Sequence, residues 1–187
     1  MPQPVSGRST FTSGVSNFFE FTDTTVFMKL LNHIPPIFLS LGLLVFPACS
    51  SKQDKIISVK PDDAEMNAAI ARARASLPQF WEVFGNPAHG EKGFSLKVRI
   101  TDKHGSEHFW LTDIERKDGQ LHGIVNNDPD IVKNVKLGQL IAIPEADISD
   151  WMYMREGKMV GNYTLRVLFK SMPANEVKQY KAMMAEP

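Results

Sequence analysis

Two aspartates interrupt apolar runs, and each stands near a tryptophan. Asp113 follows Trp110 in FWLTDIE, and Asp150 directly precedes Trp151 in ISDWMYM. A carboxylate in a half-buried strand is costly to desolvate unless it is paired or hydrogen-bonded, so both positions need a reason. One reason is chemistry. Two carboxylates in one cleft, with surroundings that drive their pKa values apart, act as general acid and general base. Arg166, beside the apolar stripe of the segment LRVLFKSM, could pair with either across a sheet. Asp113, Asp150 and Arg166 are therefore the catalytic set of a hydrolase-type reading. The other reason is structural: an aspartate bonded to backbone at a bulge or corner. Asp128 and Asp130 read as caps of a turn, and Asp147 as the start of a strand corner.

A second set could bind instead of react. Trp110, Trp151, Tyr153 and Tyr163 carry large faces with polar ends, suited to a groove for saccharide or peptide. Asn162, in GNYT, is placed to cap a helix whose free N–H groups could hold an anion or carboxylate. On a small curved sheet the same aromatics can equally fill the interior.

Other chemistries lack their parts. His104 and His108 flank a turn in HGSEH with Gly105 between them, which is not the i, i+4 helical pair of a metal site. His89 and His122 are solitary, and no metal or cofactor is expected. Ser149 has no flanking glycines to form a nucleophile elbow, and there is no glycine-rich phosphate loop. The 187 residues hold 21 Lys and Arg against 21 Asp and Glu. Such a balance supplies no electrostatic footprint for a polyanion, so nucleic acid is not an expected partner.

The lone cysteine, Cys49, ends the apolar run LLVFPAC and is followed by the polar SSKQ. Met28 and Lys29 start a short basic segment, and Ile37 to Phe46 is an apolar stretch of the length of a secretory signal. Pro35 and Pro36 break it, and it is too short to span a bilayer of ~30 Å comfortably. Ala48 supplies the small residue beside a cleavage site. The arrangement resembles a bacterial lipoprotein signal, departing from it at Phe46 and Pro47. That resemblance implies acylation of Cys49, which would become the new N-terminus. Two or three acyl chains at ~0.8 kcal/mol per buried methylene anchor durably. The expected organisation is an extension over 1–27 that is either outside the true start or disordered, a signal over 28–48, a tether over 49–60 and one domain over 61–187. Roughly 140 residues after the signal suffice for a single core. A cysteine buried near an uncleaved helix, and a secretory signal without lipidation, are the alternatives.

Periodicity supplies the elements that must position these groups. Pro61-Asp62-Asp63 opens a helix with Met66, Ile70, Ala73 and Leu77 on one stripe and Arg72 and Arg74 off it. Pro78 restarts it, and QFWEVFG closes at Gly85. From Phe94 to Ile100 the period becomes two, with Ser95, Lys97, Arg99 and Thr101 on the alternate face. Residues 107–115 and LHGIVNN complete a meander, and QLIAIP and ISDWMYM add two short strands. Leu165, Leu168, Phe169 and Met172 return to helical spacing, and Val177, Tyr180 and Met184 make a last turn or two. The expected fold class is α+β: a strongly curved antiparallel sheet of about five short strands, rolled into a partial barrel or open, flanked by N-terminal and C-terminal helices.

Phe109-Trp110-Leu111, then Asp113-Ile114, then IPEADISDWMYMREGKMVGNYTLRVL resemble the YegJ-like bacterial family, a domain of unknown function numbered twenty-three-fourteen in its series. The resemblance implies a compact α+β domain, often secreted or attached to other modules, with no agreed catalytic residues. Together the readings give a lipid-anchored or secreted envelope protein acting as a binding module. Its membrane contact would be acylated Cys49, its partner an envelope protein or cell-wall component. Trp110, Trp151, Tyr153, Asn162 and Tyr163 would be its binding residues, and the hydrolase its rival.

Overall fold

Asp63 fixes where the N-terminal helix begins: its Oδ1 accepts the Met66 N–H at 2.9 Å, one of the donors a helix start leaves unpaired. The computed structural model describes residues 63–185 together with the backbone of Ser9–Thr12 and Ile56–Val59. In chain order the elements are β1 (Ser9–Thr12), β2 (Ile56–Val59), α1 (Ala64–Ala75), α2 (Leu77–Gly85), β3 (Lys92–Asp102), β4 (Gly105–Lys117), β5 (Gln120–Val125), β6 (Leu140–Ala142), β7 (Ile148–Arg155), β8 (Lys158–Gly161), α3 (Tyr163–Leu168) and α4 (Ala174–Met183). A 3₁₀ turn at Glu145–Asp147 leads into β7, and another at Phe169–Ser171 follows α3. No helix among the described residues is long and apolar enough to cross a membrane.

The strands form one sheet in the order β2-β1-β4-β3-β7-β8, with β5 also on β4 and β6 on β5. All pairs are antiparallel except β1 with β4. β4 is long enough to change neighbours: Ser106–His108 pairs with β1, and Leu111–Lys117 pairs with β5. The sheet is open, with no pairing that closes a barrel among the described residues. The α+β class holds, and the strand count is higher than expected. The added strands are β1, β2 and β8, and in β8 four residues after a turn carry too little alternation to register.

Apolar residues fill both faces. On one, Leu96, Val98, Phe109, Leu111, Ile148, Trp151 and Tyr153 meet Ala73 of α1 and Phe80 of α2. Phe80 lies within 4.9–6.5 Å, ring to ring, of Trp81, Phe84, Phe94, Trp151 and Tyr153. Burying a side chain of this size contributes roughly 1.5–3 kcal/mol. On the opposite face, Trp110, Met152 and Met159 meet Leu165 of α3 and Met184 after α4, with Phe169, Met172 and Tyr180 around them. Gly161 is required at its position. With φ of 84°, it would drive a Cβ to 2.4 Å from the Trp151 carbonyl oxygen.

Candidate functional site

The polar centre of the molecule starts from a register shift. β3 pairs with β7 as Lys97↔Asp150 and then Val98↔Ile148, so Ser149 is an extra residue in β7. On its other edge Lys97 pairs with Trp110 of β4. Lys97, Trp110 and Asp150 thus lie side by side, and all three are buried. α3 covers them, entered through Asn162 with a left-handed φ of 54°.

Asp150 is the true cap of α3. Its Oδ1 accepts the N–H of Tyr163 at 3.1 Å and of Trp151 at 2.9 Å. Its Oδ2 accepts the N–H and the hydroxyl of Thr164, both at 2.7 Å. The cap therefore comes from a neighbouring strand, and Asn162 makes no side-chain capping bond. Instead its Nδ2 points to the sulfurs of Met159 at 3.2 Å and Met152 at 3.8 Å. Its Oδ1 is buried and has no hydrogen-bond partner among the described residues.

Lys97 Nζ donates to Thr164 Oγ1 at 3.0 Å and stands 4.8 Å from the centre of the Trp110 ring. The Thr164 hydroxyl accepts from the ammonium and donates to the carboxylate, a chain of fixed polarity. Burial pulls the Lys97 pKa down to about 8, against the pull of Asp150 in the other direction. Burial pushes Asp150 up, opposed by Lys97 and by the donors of Thr164 and Trp151. Between pH 8 and the unfolded value near 10.5, the unfolded chain holds a proton that the folded one has released, so stability rises with pH there. Denaturant titration should show the wild type gaining about 2 kcal/mol from pH 8 to pH 10 relative to Lys97→Met. Equal slopes for the two proteins would refute this.

A second polar pair lies alongside. His108 Nδ1 is 2.7 Å from Ser149 Oγ, and Ser149 Oγ donates to the Lys97 carbonyl at 3.2 Å. The serine proton is committed to that carbonyl, so His108 must donate from Nδ1. That tautomer places the imidazole as donor to the serine, where a nucleophile needs it as base. Burial, followed by the charges of Lys97, Arg99 and Arg74, pulls the His108 pKa down to about 3.

The catalytic set of Asp113, Asp150 and Arg166 does not assemble. Asp113 is exposed at an irregularity where β4 and β5 lose register, with φ of 48°. Arg166 donates to the Ala185 carbonyl at 2.9 Å. Asp150 already accepts four donors, and its buried cation is Lys97. A carboxylate so enclosed offers no lone pair to a substrate.

The binding set changes as well. Trp151 and Tyr153 stack in the core of one face, and Trp110 is buried on the other. Trp151 Nε1 donates to the Ala73 carbonyl at 2.9 Å and to Ser76 Oγ at 3.0 Å. Tyr163, half-buried, packs its edge on Trp151. Trp110, Trp151, Tyr153 and Asn162 are interior, on two opposite faces of the sheet, and only Tyr163 is partly open. His104 is exposed on its turn while His108 is buried. Cys49 and the leader fall outside the described residues, apart from the backbones of β1 and β2.

Sequence reasoning passed over Lys97, Thr164 and Glu107. Glu107 is buried, and its carboxylate accepts the N–H groups of Asp130, Ile131 and Val132 at 2.8–3.2 Å. Asn127 Oδ1 accepts the Trp110 N–H at 2.9 Å, so the long connection between β5 and β6 is tied to β4 at two points.

These features define an α+β domain whose buried polar residues serve its own interior. The family described as "Uncharacterized protein conserved in bacteria (DUF2314)" matches residues 63–185, and the chain belongs to that family. It is 38% identical over 150 residues to the uncharacterized protein YegJ of Escherichia coli strain K12, covering 79% of this chain and 97% of YegJ. It is also 29% identical over 136 residues to a Neisseria meningitidis serogroup B protein named as a candidate ankyrin repeat protein. That match covers 68% of this chain and 53% of the relative, so the chain spans about half the relative's length. No solved structure matches the chain.

Proposed function

We propose that the protein is a lipid-anchored or secreted envelope protein that works as a binding or interaction module without catalysis of its own. The observation that carries this reading is the enclosure of Asp150, Lys97 and His108. The side chains best equipped for acid–base chemistry are spent on capping α3 and joining β3 to β7. The run LLVFPACSSK supports the envelope address, with Cys49 as the acylated attachment to a membrane and Ser50–Gln53 as the start of a tether. The Neisseria relative supports the interaction half, since ankyrin repeats stack into extended surfaces for binding proteins. The partner would be an envelope protein or cell-wall component, met at the outer membrane or periplasmic face. A form secreted to the periplasm without an anchor would meet the same partners.

Fractionation tests the address. The wild type should sediment with membranes, while Cys49→Ala should be released in soluble form or accumulate as uncleaved precursor. Recovery of both proteins as soluble cytoplasmic chains ends this reading.

A further inference from the structure

One strand in the sheet comes from the segment that the leader reading removes. β1 sits between β4 and β2, parallel to the first (Ser9↔Ser106, Thr10↔Glu107, Phe11↔His108) and antiparallel to the second (Ser9↔Val59 through Thr12↔Ile56). β2 has no other strand partner among the described residues. Cleavage before Cys49 takes β1 away and keeps β2. The edge of β4 at Ser106–His108 then lacks the strand that β1 supplied, and β2 lacks the partner it has in β1. A sheet edge from which a strand has been removed accepts an extended chain by backbone hydrogen bonds.

We propose that the edge of β4 at Ser106–His108, with β2 closing over it, is a strand-addition site for an extended, uncharged peptide segment of a partner protein, and that β1 marks the seat. This rests on the interaction-module reading and gives it a ligand chemistry. The seat is already prepared on the domain side. Glu107 is held by the backbone of Asp130–Val132 and His108 is hydrogen-bonded to Ser149. Thr101 and Ser106 share a hydrogen bond of 2.7 Å at the same end. None of these needs to move for a strand to arrive. Burial and nearby cations keep His108 uncharged, and the Glu107 carboxylate is turned into its loop, so the edge asks for no charge on the incoming segment. A strand seated between two others gains ladder bonds on both sides, as β1 does.

The test uses the full chain. Thr10→Pro unseats β1, because a strand paired on both edges has no position where a missing N–H is harmless. The probe is a fluorescent, end-capped peptide of residues 9–14, STFTSG, which carries no charged side chain. It should bind Thr10→Pro saturably and bind the wild type, whose seat is filled, at least tenfold more weakly. Hydrogen exchange should show peptide-dependent protection of Ser106–His108 and of Ile56–Val59. A folded Thr10→Pro chain, by near-UV circular dichroism, that fails to bind the peptide overturns the proposal. So do equal binding by both chains and protection of Ile56–Val59 on β4 without peptide. The assay does not depend on processing in the cell, so its failure and a failed fractionation point to different errors.

Discussion

Asp150→Ala is expected to destabilise the domain by about 3–5 kcal/mol, the range for removing one partner of a buried charge pair. Three costs act together. The N–H groups of Tyr163 and Thr164 lose their acceptor at the start of α3, where a missing cap alone costs about 1 kcal/mol. The Trp151 N–H loses its bond to Oδ1. Lys97 loses the carboxylate that opposes the effect of burial on its ammonium group. Thr164→Val should cost less, because it removes the hydroxyl relay and leaves the backbone donors to Asp150 intact. Urea unfolding measures both, and Asp113→Asn is the control, since Asp113 is exposed and asparagine tolerates its left-handed φ of 48°. If Asp150→Ala falls within about 0.5 kcal/mol of the wild type, as an ordinary surface change does, Asp150 is not the keystone of α3.

The fate of Asp150 shows what a strand pattern conveys. The sequence reading found that Asp150 and Asp113 were unusual, and that a bulge or corner was one reason for them. Both sit where sheet register is lost. Their opposite burial was not legible. The alternation of Phe94, Leu96, Val98 and Ile100 with Ser95, Lys97, Arg99 and Thr101 suggests one core face and one wet face. That inference fails here because α3, Met159 and Met184 cover the middle of the second face, and they arrive from more than fifty residues further along the chain. Only the outer part of that polar row, Arg99 and Thr101, remains open. Lys97 is buried because its neighbours across the ladder are Trp110 and Asp150, and pairing partners are not visible in one strand's sequence.

Local signals fared better than long-range ones. The opening of α1 at Pro61-Asp62-Asp63, the break at Pro78 and the close at Gly85 are one-turn decisions, and the structure narrows them to Asp63 as the cap and Pro78 in the first turn of α2. The i, i+3, i+4 stripe from Leu165 likewise gives α3 and the turn after it. Asn162 was chosen for its helix-start chemistry and is indeed the residue before α3. Its side chain instead reaches the sulfurs of Met152 and Met159, because Asp150 from the next strand already occupies the capping position. The aromatics were correctly marked as large and placed on the sheet, but pattern alone could not tell a groove from a core with two sides.

Acid should unfold the wild type through His108 in particular. Its pKa falls from about 6.5 in the unfolded chain to about 3 in the folded one. Between those values the unfolded state binds a proton that the native state refuses, so stability falls as pH falls. The linkage amounts to about 3 kcal/mol between pH 7 and pH 4. Burial acts first in holding the ring neutral, and the charges that add to it come from two elements: Lys97 and Arg99 on β3 and Arg74 on α1. Other carboxylates titrate over the same range. Asp102 and Glu91 are held below their ordinary values, Asp102 first by the Lys133 N–H and Glu91 by the His89 N–H and Arg155 against its own burial. Both lose stability in acid, whereas Asp150, pushed up by burial, acts in the opposite sense. His108→Asn separates the histidine from all three, because an amide can still donate to Ser149 and does not titrate. Comparing urea midpoints from pH 7 to pH 4 should therefore show a shallower decline in His108→Asn, by about 3 kcal/mol over the range. Parallel declines would mean that the imidazole accepts its proton at Nε2 without breaking the native state, its Nδ1–H still donating to Ser149.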